Sequence, residues 1–251
     1  MPSSPPALHL FEIYLRNAGG PLPIQAVRSH AMNGLFYTEI GRKYGKMVDE
    51  FHELRDGRPL PFSLAPIFRD EEFLGVRVGT LTAEFGDVVS EVWGGLAAKC
   101  AEVRLGSATL QVDRVKPGGL HPMSYQQLLE EAPEAHGVWL RFETPMRVRT
   151  FNQSGVLPTP QAVWHGYVLR WEAFAGIDLP PEFLHWANRR AQATELRLET
   201  RYAFIEKTVE WKGVMGEVEY TVFVEDGDDV PVSRLPDYLR AWQALALLAD
   251  L

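Results

Sequence analysis

The order in which the hydrophobic period changes along the first half of this sequence leaves few folds open to it. Ala7 to Arg16 sets His9, Phe11, Ile13 and Leu15 in alternation, as a strand does, until Asn17-Ala18-Gly19-Gly20-Pro21 breaks the pattern. From Ile24 the period lengthens: Ile24, Val27, Ala31, Leu35 and Ile40 recur at helical spacing with polar Arg28 and Asn33 between them. Gly41 interrupts, and Tyr44, Met47, Val48 and Phe51 define a shorter helix that carries His52 in its last turn. A charged turn with Gly57 and Pro59 then leads into extended Phe62 to Phe68, and Leu74 to Leu81 reads as a further strand. Phe85, Val88, Val89, Val92, Trp93 and Leu96 mark a third helix, and Ala108 to Val115 a last strand. Strand, helix, two strands, helix, strand is the ferredoxin-like pattern.

The second half repeats that theme. Lys116-Pro117-Gly118-Gly119-Leu120-His121-Pro122 is dense enough in turn residues to end a domain. Beyond it come a short helix from Ser124 to Glu131 and a strand from Gly137 to Thr144. A helix with Val163, Tyr167, Val168, Trp171 and Phe174 follows, then a helical layer opened by Pro180-Pro181. Glu195 to Phe204, Ile205 to Trp211 and Met215 to Val224 read as strands, with Lys212-Gly213 as a turn and Gly216 as a bulge. A helix from Leu235 to Leu251 closes the chain. The expected class is α+β: tandem ferredoxin-like (RRM-like) domains at 1–116 and 124–251, joined by a linker at 117–123, the second without its last strand.

Composition narrows the function. With 46% hydrophobic and 23% charged residues over 251 positions, the chain has globular proportions and length enough to bury two cores. Cys100 alone permits no internal disulfide and no multi-thiolate zinc site, and a reducing compartment, the cytoplasm, fits; no metal or cofactor is expected. No signal peptide opens the sequence and no apolar run approaches the roughly 20 residues of a membrane span, so no membrane partner is expected. The net charge of −8 means that any nucleic-acid contact must come from local clusters, with Arg42, Lys43 and Lys46, Arg147 and Arg149, or Arg189 and Arg190 as candidates. Each cluster reads equally as a solvated face.

One stretch gathers groups with chemistry. Tyr37, His52 and Arg58 fall within about one loop of each other. An imidazole of pKa about 6.5 exchanges protons near neutrality, while a phenol and a guanidinium can hold the charge that grows on a phosphorane. The same residues also suit a core tyrosine, a surface arginine and a helix-capping histidine.

The ordered series Phe36-Tyr37, His52-Glu53, Leu60-Pro61-Phe62-Ser63-Leu64, Val103-Arg104-Leu105-Gly106, Phe142-Glu143-Thr144-Pro145-Met146-Arg147-Val148-Arg149 and Gly213-Val214-Met215-Gly216-Glu217-Val218 resembles the CRISPR repeat-processing endoribonucleases of the RAMP superfamily, the Cas "six" class. The resemblance implies two ferredoxin-like domains, CRISPR repeat RNA as partner, and metal-free cutting within the repeat to a 5′-hydroxyl and a 2′,3′-cyclic phosphate. It further implies catalytic roles for Tyr37 and His52, with Arg58 where some members place a lysine. His30, two helical turns before Tyr37, is the rival histidine. The family's glycine-rich loop and final strand after the last helix have no counterpart before Leu251, which points to a sequence that continues. Two other readings stand beside this one: a non-catalytic RAMP subunit binding the repeat among CRISPR effector subunits, and an unrelated ferredoxin-like interaction protein.

Overall fold

The structure, a computed structural model, describes residues 7–23, 27–53, 58–119, 121–146, 148–150, 153–155, 157–204, 210–224 and 230–249. The chain divides into two compact units, the first running to Ser124 and the bulk of the second from Tyr125.

In the first unit the chain order is β1 (His9–Asn17), α1 (Ser29–Glu53), β2 (Phe62–Arg69), β3 (Glu72–Thr80), α2 (Ala83–Ala98), β4 (Glu102–Leu105) and β5 (Ala108–Pro117). The strands form one antiparallel sheet in the order β2-β3-β1-β5-β4. This is the ferredoxin-like order with β4 added at the edge, where Gly106 turns the β4–β5 hairpin at a φ of +61°. The apolar side of the sheet carries Ile13, Leu15, Val76 and Val112 against Phe36, Phe85 and Trp93 of the two helices. Phe36 is the hub, with ring centroids 5.1 Å from Phe62 and 6.1 Å from both Phe85 and Trp93.

Two local outcomes differ from the sequence reading. α1 begins at Ser29, and residue 24 lies outside the described residues. Gly41 does not separate two helices: α1 runs through it, and the irregularity falls at Tyr44, whose φ and ψ are −121° and 46°. A helix tolerates an interior glycine at a cost of about 1 kcal/mol, and here Val48 packs against Gly41. At the expected linker the described backbone is hydrogen-bonded to β1 and the residue before it. Gly118 N–H donates to Leu10 O at 2.7 Å, while Leu8 and Met123 exchange backbone hydrogen bonds at 3.0 and 3.2 Å.

The second unit contains α3 (Tyr125–Glu131), β6 (Gly137–Met146), β7 (Val148–Thr150), β8 (Gln153–Gly155), α4 (Pro160–Phe174), α5 (Phe183–Arg190), β9 (Ala191–Phe204), β10 (Glu210–Val222), a 3-10 turn (Val232–Arg234) and α6 (Leu235–Leu248). Its main sheet has the order β6-β10-β9, which is a ferredoxin-like sheet without a fourth strand among the described residues, and β7 and β8 pair separately. Trp164 of α4 stacks on Trp242 of α6 at 3.8 Å and meets Tyr220 of β10 edge-on at 4.9 Å, which ties both helices to the sheet.

Of the strand expected over Ile205 to Trp211, residues 205–209 lie outside those described, and where a Lys212-Gly213 turn was expected β10 runs through from Glu210. Gly213 is a close-approach glycine: a Cβ there would lie 2.9 Å from the Met146 carbonyl of β6. Gly216 does mark an irregularity. Its φ is +124°, the β6–β10 register shifts between Val214 and Gly216, and a Cβ would lie 2.0 Å from Arg197 O.

Candidate active site and RNA-binding surface

α1 presents two separate constellations, one towards each edge strand of the first sheet. Towards β2, Tyr37 and His52 come together with ring centroids 4.9 Å apart, and the edge of Phe62 supports Tyr37 at 5.9 Å. Tyr37 is half-buried, and burial raises its phenol above the usual value, so it is a hydrogen-bond donor and not a base near neutral pH. His52 is exposed at the end of the helix. Arg58 is exposed at the approach to β2, after residues 54–57, which lie outside those described.

Towards β4, His30, Gly34, Thr38 and Arg42 occupy successive i+4 positions of α1 and form one wall of a groove of about 650 Å³. Arg104 and Glu102 of β4, with Thr109 of β5, form the other. The absence of a side chain at Gly34 keeps the groove open between His30 and Thr38. At its inner end Glu39 is 3% exposed, and the Arg42 guanidinium donates to it at 2.5 Å. Burial raises the Glu39 carboxyl above its usual value, with Arg42 pulling the other way.

Sequence spacing could not separate these constellations, because His30 and Tyr37 lie on adjacent azimuths of one helix. Only the sheet order, which puts β2 and β4 at opposite edges, sends them to different surfaces. Arg104 is not marked out by the sequence as a catalytic or binding candidate. An exposed arginine alternating with buried Val103 and Leu105 was its signal, and this becomes informative only when β4 lies beside α1.

The remaining basic candidates are distributed. Lys43 pairs with Glu91 of α2, which also accepts the Tyr44 hydroxyl hydrogen, and Lys46 is exposed. Arg149 lies in β7 with its side chain outside the described set, and Arg147 is outside it altogether. Arg189 and Arg190 end α5, in a groove shared with His185, Arg234 and Tyr238. Trp186 beneath them is 5% exposed and packs on Tyr238 at 5.1 Å, so it is a core residue. Trp164 and Trp171, 0% and 1% exposed, are core as well. Among the described residues no three His, Cys, Asp or Glu side chains are placed to hold a metal ion. Nor is any described helix long and apolar enough to cross a membrane.

Two ferredoxin-like units in one chain define an α+β protein of tandem ferredoxin-like architecture. Known proteins resemble the chain in part of its sequence and in its fold. Residues 140–249 match the model of the family described as CRISPR-associated endoribonuclease Cas6. A Thermus thermophilus Cas6 of known structure shares 18% identity and superposes with a TM-score of 0.68, over 97% of this chain and 90% of its own. In its product complex that protein gives 0.72 at 20% identity, over 96% of this chain and 91% of its own. A second Cas6, also in a product complex, gives 0.71 at 22% identity over 95% and 89%. No curated protein matches the chain. The chain is therefore similar to the Cas6 family in sequence over 140–249 and shares the fold of the Cas6 structures over nearly all of its length.

Proposed function

We propose that this protein cuts precursor CRISPR RNA within its repeats, in the cytoplasm, to make mature guide RNAs. The reaction is attack of a ribose 2′-hydroxyl on the adjacent phosphate, without a metal ion, giving a 2′,3′-cyclic phosphate and a 5′-hydroxyl. The observation that carries the reading is the β4-side groove, where the His30 imidazole shares an open cleft with the guanidiniums of Arg42 and Arg104. His30 moves the proton of the 2′-hydroxyl or of the departing 5′-oxygen. Arg42 and Arg104 offset the negative charge that accumulates on the phosphorane, a task suited to forked, permanently charged donors. Glu39 orients Arg42 from below.

A second reading places the reaction at the β2 side, with His52 as the proton-transfer group, Tyr37 as donor and Arg58 as cation. The 4.9 Å ring contact between Tyr37 and His52 favours it. The complexes of similar fold with product and with a substrate mimic support RNA as the ligand in either case.

The deciding experiment incubates the protein with its repeat RNA in EDTA, beside a copy carrying a single 2′-deoxy substitution at the cut site. Cutting of the first and not the second is expected. Binding without cutting in either would assign the protein instead to a non-catalytic role among CRISPR effector subunits.

A further inference from the structure

α1 carries a glycine for which the fold supplies no reason. Gly34 lies in the interior of the helix, exposed and at ordinary helical φ, and a Cβ built on it would meet no heavy atom within 4 Å. Neither a left-handed turn nor the close approach of another backbone calls for glycine here. Glycine weakens a helix, because the unfolded chain has more conformations to lose at that position. Alanine would serve the helix better.

What surrounds the position gives it a use. Gly34 is the second member of the i+4 row His30, Gly34, Thr38 and Arg42, so that wall of the groove has a gap in its side chains. Helical side chains lean towards the N-terminus, and the space that a residue covers lies over the turn before its own Cα. The gap left at Gly34 therefore lies over the turn that starts at His30, beside the imidazole. The Cα atoms of His30 and Arg42 are about 18 Å apart along the axis, and Arg42 leans back towards the gap from the far end. Its hydrogen bond to Glu39, three residues earlier, fixes that direction. Arg104 faces the row from β4. A ligand in the gap lies against bare helix backbone, with an imidazole at one end and guanidiniums beyond and opposite.

We infer that Gly34 seats the reacting ribose: the sugar whose 2′-hydroxyl attacks lies in this gap, with that hydroxyl at the His30 imidazole and its 3′-phosphate towards Arg42 and Arg104. The 2′-oxygen bonds to phosphorus and yields its proton to His30, the bond to the 5′-oxygen breaks, and the leaving oxygen takes a proton from water. A side chain at 34 would hold the sugar away from the helix, and a displacement of about 1 Å is enough to cost about 10²-fold in rate. Gly34 thus acts by shape, admitting a sugar to His30 that any larger residue would exclude. This seat rests on the groove as the site of cutting and adds to it a substrate contact that has no charge or hydrogen bond to advertise it.

The test compares Gly34→Ala and Gly34→Leu with the parent in single-turnover cutting of repeat RNA, in affinity for the same RNA carrying a 2′-deoxy substitution at the cut site, and in Tm. Gly95→Ala and Gly95→Leu are the controls, since Gly95 is an exposed glycine of α2 with no atom within 4 Å of a Cβ and does not line the groove. Gly34→Ala should raise Tm by about 2 °C. It should slow cutting about tenfold, and Gly34→Leu about 10²-fold or more, with affinity for the 2′-deoxy RNA kept within about threefold. Both Gly95 variants should cut at the parent rate. A helix made more stable in a protein made slower does not come from damage to the fold. Parent-rate cutting by Gly34→Leu, or equal slowing by Gly95→Leu, overturns the inference. Should Gly34→Leu fail to fold, parent-rate cutting by Gly34→Ala overturns it instead. His30→Ala in the same assay tells this failure from that of the groove. Slow cutting by His30→Ala beside parent-rate cutting by Gly34→Leu removes Gly34 and keeps the groove, whereas parent-rate cutting by both retires the groove as well.

Discussion

In the proposed reaction His30 and His52 are the two candidates for one chemical role, and single substitutions separate them because they line different constellations of α1. His30→Ala is expected to lower single-turnover cutting of repeat RNA by about 10²- to 10⁴-fold, the usual worth of a positioned proton-transfer group, with RNA affinity kept within about threefold. His52→Ala should leave the rate within about tenfold. The reverse pattern, read from the same time courses, would move the active site to the Tyr37 side. Glu39 yields a second prediction at this scale. Its carboxyl is nearly sealed from water and its folded-state pKa is raised, so its proton is held more tightly in the folded than in the unfolded protein. The contribution of such a group is fully present below its unfolded pKa of about 4.5 and is lost as pH rises through the raised folded value. Glu39→Gln, which carries no such charge, should therefore gain thermal stability relative to the parent as pH is raised from about 4 to 7. A constant difference in Tm across that range would contradict it. The spacing of residues alone revealed the titratable and cationic groups. It could not pair them, since partners such as Arg104 lie far away in the sequence.

Among the elements, α2 and β3 show how local signals are settled. α2 was fully legible: Thr82 accepts the Phe85 N–H at 3.3 Å as its N-cap, and Val88, Val89 and Trp93 point into the core. Thr82→Ala should destabilise the fold by about 1 kcal/mol in urea unfolding, with no change in slope. Gly75→Ala should cost more than that, because a methyl group at 2.0 Å from Ile13 O forces β1 and β3 apart. A loss no larger than that of Thr82→Ala would show that the strands relax cheaply. α1 was legible in period but not in its interruption. Glycine at 41 suggested a break, yet packing against Val48 carried the helix on to Tyr44. The same limit put a turn at Lys212-Gly213, which β10 runs through, because a glycine in a turn and a glycine beneath a neighbouring strand have the same local signature.

For the whole molecule, a net charge of −8 and an RNA ligand are compatible only if binding is local and salt-sensitive. Repeat-RNA affinity should fall steeply between low and moderate salt, and replacing Arg42 and Arg104 together by Ala should make the log–log slope shallower by about 2. A slope unchanged by that double substitution would exclude the groove as a phosphate contact. The sequence by itself determined the α+β class, the tandem ferredoxin-like order and the inventory of reactive groups. Hydrophobic period, turn residues and side-chain chemistry are properties of neighbouring residues, so they can be read along the chain. Tertiary structure alone decided that β4 extends the first sheet beside His30, that Tyr37 meets His52, and that Gly34 and Arg104 line one groove. Strand order and register bring together residues tens of positions apart, and that choice is made by the packing of the whole fold.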